Sequence, residues 1–91
     1  PNVFTPNGDG SNETWFLNTT NATNVSITIL NRWGNVIFES SGLNPSWNGE
    51  TQAGTEAADG VYFYKYIVEG YPDSLGETQV LEGHGFIHLV R

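Results

Sequence analysis

NVSITILNRWGNVIFE, residues 24–39, decides what kind of chain this is. Val25, Ile27 and Ile29 alternate with Ser26 and Thr28, so an extended segment here has one apolar and one polar face. A period of two marks a half-buried β-strand, because successive strand side chains point to opposite faces. A second run, NVIFE, follows at residues 35–39 after Arg32-Trp33-Gly34, and Gly34 tolerates the positive φ that a tight reversal needs. The two runs predict a β-hairpin.

The same reading extends along the chain. GVYFYKYIVE, residues 60–69, is dense in β-branched and aromatic side chains and predicts a third strand. Its faces carry Val61, Phe63, Lys65 and Ile67 on one side, and Tyr62, Tyr64, Tyr66 and Val68 on the other. Lys65 disfavours deep burial of its own face, but a lysine stem lies readily on apolar surface, so either face could be the core face. Residues 78–91, ending in GFIHLVR, predict the terminal strand, and shorter strands are expected at 2–4 and 13–18. Between these runs stand turn-like clusters: TPNGDG, TTNATN, SSGLNPSWNG, residues 51–59 and GYPDSLGE. No segment sustains the apolar spacing of an amphipathic helix. Six or seven short strands with this punctuation indicate an all-β antiparallel sandwich or small barrel, with the sandwich preferred.

Ninety-one residues make one domain with a small core, since a chain this short buries only about two-thirds of its unfolded surface. Cysteine is absent, so no disulfide or thiolate metal site supplements that core, and five Phe, four Tyr and three Trp must fill it. Ten acidic residues against Arg32, Lys65 and Arg91 give a net charge of -7. Such a surface repels phosphate backbones and anionic headgroups, which excludes nucleic acid as a partner. No apolar run reaches the roughly 20 residues of a membrane helix, so the chain is not expected to span a membrane. It opens on Pro1 and lacks Met, which suggests a piece of a longer protein.

Candidate chemistry is sparse. In FTPNGDGSNETW, Asn7, Asp9, Ser11 and Glu13 stand two apart, the spacing of oxygen ligands at the front of an EF-hand loop. With Asn7 as the first ligand, the sixth position is Asn12 rather than glycine and the twelfth is Asn18 rather than a bidentate glutamate. The template fails, leaving an incomplete acidic turn with at most a weak calcium site, and a self-bonded turn built on Pro6, Gly8 and Gly10 as the simpler reading. His84 and His88 share a strand face but stand ~13 Å apart, too far for one metal ion. No serine lies in a nucleophile elbow, and no pair of carboxylates is singled out. The chain is not expected to be an enzyme. Trp33, Trp47, Tyr62, Tyr64, Tyr66 and Tyr71 offer the rings of a sugar-binding platform, which makes a carbohydrate-binding or structural module of an adhesin the alternative.

The order of the pieces carries more than any one of them. FTPNGDGSNETW comes first, then ILNRWGNVIFES, then Trp47-Asn48-Gly49, DGVYFYKYIVEG, and a close on EGHGFIHLVR. In this order they resemble the gliding-motility-associated C-terminal domain, the type B sorting domain of the Bacteroidota type IX secretion system. One departure is Asn12-Glu13, where the pattern usually has Asn-Asp. The resemblance implies an immunoglobulin-like antiparallel β-sandwich of about seven short strands. Residues 1–91 would then be one C-terminal sorting domain of a larger secreted or surface protein. It implies a domain that directs cargo fused in cis through the outer membrane, passing the periplasm to the cell surface or the exterior. Its partners would be the translocon and a PorP/SprF-like outer-membrane protein, with no cofactor, and the domain itself a monomer. Positions matching the family pattern that are expected to contact the partner are Phe4, Thr5, Pro6, Asn7, Gly8, Asp9, Gly10 and Asn12, then Arg32, Trp33 and Gly34, then Gly85, Leu89 and Arg91. Strand addition at an exposed edge is the physical route expected for recognition, with the terminal strand first and the FTPNGDG loop second.

Overall fold

The computed structural model describes residues 3–5, 14–16, 22–72, 76 and 78–90. They form seven strands, β1 (Val3–Phe4), β2 (Trp15–Phe16), β3 (Ala22–Leu30), β4 (Val36–Gly42), β5 (Ser46–Trp47), β6 (Gly60–Pro72) and β7 (Thr78–Leu89). Among the described residues there is no helix, and so none long and apolar enough to cross a membrane. The strands form a five-stranded sheet, in the order β1-β7-β6-β3-β4, and a two-stranded sheet of β2 and β5.

The hairpin expected over residues 24–39 is β3–β4, antiparallel from Val25↔Gly42 to Leu30↔Val36, with a bulge after Ile29. Val25, Ile27 and Ile29 are fully buried, as their alternation requires. Asn31 builds the reversal. Its side-chain Oδ1 accepts N–H bonds from Trp33 and Asn35, both at 3.0 Å, and its backbone N–H donates to the Asn35 carbonyl at 2.9 Å. Gly34 sits at φ 85°, in the left-handed region that disfavours other residues.

β6 pairs antiparallel with β3 on one side and β7 on the other, and its core face is the tyrosine face. Tyr62 is buried, Tyr64, Tyr66 and Val68 pack partly buried against the core, and Val61, Phe63, Lys65 and Ile67 face outward. What settles the choice is β7. Tyr64 lies opposite Gly85 and Tyr66 opposite Gly83. A Cβ at Gly85 would stand 2.5 Å from the Tyr64 hydroxyl, and one at Gly83 would overlap the Tyr66 ring. The glycines thus leave space for tyrosine rings to lie across the neighbouring strand, an arrangement in which the ring shields exposed glycine backbone.

The two-stranded sheet covers this tyrosine face. Trp15 and Trp47 are directly opposed in the β2–β5 pair, and both are buried. Trp15 meets Tyr64 with ring centroids 4.7 Å apart, and Trp47 meets Tyr62 edge-on at 5.2 Å. Tyr62 also donates a 2.6 Å hydrogen bond to the Ala58 carbonyl, satisfying its hydroxyl as it enters the core. Ile87 and Leu89 complete the cluster. The sequence reading treats residues 40–49 as a turn, but β5 lies inside them, because Trp47 gains more from burial than its turn-forming neighbours Pro45, Asn48 and Gly49 dictate. A second difference is that β1 runs parallel to β7, pairing Val3↔His88 and Phe4↔Leu89. Parallel pairing needs a long connection, and nearly the whole chain separates these two strands.

Candidate functional site

The first motif is only partly visible. Pro6, Asn7, Gly8, Asp9, Gly10 and Asn12 lie outside the described residues, and so do Ser11 and Glu13 of the calcium set, and Arg91. Phe4 and Thr5 are described, and the pairing of Phe4 with Leu89 joins the opening motif to the closing one on a single sheet edge. Leu89 itself is fully buried, so its side chain serves the core. Among the described residues no group of three or more His, Cys, Asp or Glu side chains could hold a metal ion.

Six rings offered a sugar platform in sequence. Trp47 and Tyr62 are buried, and Tyr64 and Tyr66 turn inward, stacking on each other at 6.2 Å. These four are structural. Trp33 is 71% exposed at the hairpin tip, with the Arg32 guanidinium 4.5 Å from its ring centroid. Trp47-Asn48-Gly49 is likewise a packing motif. The Trp47 indole N–H donates to the Glu50 carbonyl at 2.8 Å, Asn48 exchanges hydrogen bonds with Glu50, and the Gly49 carbonyl accepts the Ala57 N–H at 2.8 Å.

The face of the five-stranded sheet opposite the tyrosines is where exposed chemistry gathers. Cross-strand register arranges it in rows. Leu30, Phe63 and Phe86 form an apolar row across β3, β6 and β7. One step further along, Glu39, Thr28, Lys65 and His84 form a polar row running from β4 to β7. Phe63 and Phe86 are 44% and 51% exposed, large apolar surfaces left in solvent. The Asn31–Asn35 turn overhangs this face, so that Arg32, Trp33 and Gly34 share a groove with Phe63, Lys65 and Gly85. Three of the predicted contact positions are therefore brought together with a fourth, Gly85, from far downstream on β7. Sequence reasoning missed Lys65 and His84 as members of this site. Their signal was the pairing of Tyr-x-Tyr with Gly-x-Gly, which puts Lys65 opposite His84.

The sheet edges differ in kind. On β4, Gln52 imitates a neighbouring strand: its backbone N–H donates to the Ile37 carbonyl, and its side-chain oxygen accepts the Glu39 N–H, both at 2.8 Å. On β7, β1 pairs only with His88 and Leu89, and no strand among the described residues covers the rest of that 12-residue edge. Val80 and Leu81, on opposite faces near its start, are 54% and 67% exposed. Among the described residues, one edge is closed and the other is open.

No curated protein and no solved structure is significantly similar to the chain. The model of the CHU_C type IX secretion signal domain matches residues 1–88, from the parallel β1 through to the core strand β7. The chain belongs to the type IX secretion signal domain family.

Proposed function

We propose that this domain addresses a cargo protein for export by being bound directly by the translocon or by a PorP/SprF-like outer-membrane partner. Membership of the family makes it a type IX secretion signal, with cargo in cis and export to the cell surface or beyond. Passage through the periplasm, recognition there as a folded immunoglobulin-like sandwich, and a role free of catalysis and cofactors belong to the proposal. The observation that carries the binding step is the β7 edge, which no strand among the described residues covers beyond His88 and Leu89. Unpaired strand edges present N–H and C=O groups to any extended segment, and natural proteins block them unless they are used. Gln52 blocks β4, whereas no strand among the described residues pairs with β7 beyond His88 and Leu89 on this edge.

The test is export of a passive reporter fused ahead of the chain. Deleting residues 89–91 is a poor probe, because Leu89 is fully buried and losing such a core side chain costs about 2–5 kcal/mol of stability. Val80→Lys with Phe86→Lys places charges on exposed β7 positions, the device by which edges are protected from pairing. The expected result is an unchanged circular dichroism spectrum and melting temperature with at least a tenfold fall in export. Normal export by this folded variant would overturn the edge reading.

A further inference from the structure

We propose that the groove beneath the Asn31–Asn35 turn is a binding site for a short acidic, aromatic peptide segment of the partner protein. The inference rests on the reading above only in taking the occupant to be a protein. The chain holds three Lys and Arg residues in all, and two of them, Arg32 and Lys65, line this one groove of about 550 Å³ together with His84. No carboxylate is among the groove's described lining residues, although the chain carries ten. Two of the three strong cations therefore line one groove whose own described lining holds no carboxylate, the nearest acids standing outside it at Glu39, in the Lys65 row, and at Glu82 beside His84.

The cations are also prearranged. Arg32 stacks on Trp33 at 4.5 Å, and Trp33 sits on a turn fixed by two bonds to Asn31 Oδ1. A guanidinium held this way loses little freedom on accepting a carboxylate in its two-pronged geometry. Lys65 is bracketed by Thr28 and His84 in its row, and Phe63 supplies an apolar floor. One or two carboxylates flanking an aromatic or aliphatic side chain match this arrangement. A polyanion does not: with a net charge of -7, the field of the whole molecule opposes a long row of negative charges. A saccharide is also disfavoured, because Asn31 Oδ1, the amide side-chain acceptor among the groove's described lining residues, is already engaged by two backbone N–H groups.

The experiment titrates the 91-residue chain with acetyl-Glu-Phe-Glu-amide, following the Trp33 indole and the Lys65 and His84 amides by NMR. The controls are acetyl-Gln-Phe-Gln-amide and trigalacturonate. The glutamate peptide should bind at least tenfold more tightly than the glutamine peptide, and added salt should weaken it. Arg32→Gln with Lys65→Gln keeps both exposed stems, so the melting temperature should hold while the preference for glutamate disappears. Equal binding of the two peptides, a preference retained by the double variant, or tighter binding of trigalacturonate would each overturn the proposal. Export separates the two readings. A wild-type reporter that is exported while the peptides fail to discriminate rejects the groove alone, and a wild-type reporter that is not exported rejects the address.

Discussion

Gly85 and Tyr64 show how one residue's absence of a side chain determines another's position. The Tyr64 ring lies where a Cβ on Gly85 would stand, and it is held from above by Trp15. Gly85→Ala forces the ring off that position or opens the β6–β7 pair, and overpacking of this kind costs about 1–3 kcal/mol. If the ring is the cause, Tyr64→Leu should make the alanine far less harmful. A double-mutant cycle by chemical denaturation should return a coupling of about 0.5–3 kcal/mol, the range for residues in contact. Zero coupling would mean that the glycine is needed for backbone freedom instead. That alternative is disfavoured, because Gly85 is not among the glycines with positive φ.

The strands differ in how far the sequence revealed them, for a physical reason. β3 was legible because Val25, Ile27 and Ile29 alternate with polar residues, so only one face could be buried. β6 was legible as a strand but not as to its face, since both sides carry large apolar groups; Gly83 and Gly85, far along the chain on β7, select the tyrosines opposite them. β5 was hidden, because a two-residue strand has no period and its neighbours Pro45 and Gly49 suggest turns. The same holds for the candidate site. Arg32, Trp33 and Gly34 were found as a motif, whereas Lys65 and His84 join them only through cross-strand register. Gln52 was not legible at all, because its work depends on where residues 51–55 dock against β4. Gln52→Ala removes the bond to the Glu39 N–H, and a lost hydrogen bond of this type costs about 1 kcal/mol. It also reopens an edge, so the variant should aggregate faster than wild type at matched stability in light scattering. Unchanged aggregation would show that the backbone bond to Ile37 protects this edge alone.

At the scale of the molecule, the domain must fold without a disulfide around a core that rests on two tryptophans brought in by the smaller sheet. A domain of this size has roughly 5–15 kcal/mol of net stability. Trp47 is fully buried, hydrogen-bonded through its indole and packed edge-on against Tyr62, so Trp47→Ala should cost about 3–5 kcal/mol. Trp33 is a matched control of the same residue type on the surface, and Trp33→Ala should change stability by no more than about 0.5 kcal/mol. If recognition reads a folded surface, the two variants should fail differently. Trp47→Ala should lose export in step with its loss of folded population, and export should recover at lower temperature where the fold recovers. Trp33→Ala should keep its melting temperature and lose export only through the groove, with no recovery on cooling. Full export of an unfolded Trp47→Ala domain would mean that the secretion machinery reads a linear segment rather than the sheet edge and groove built here.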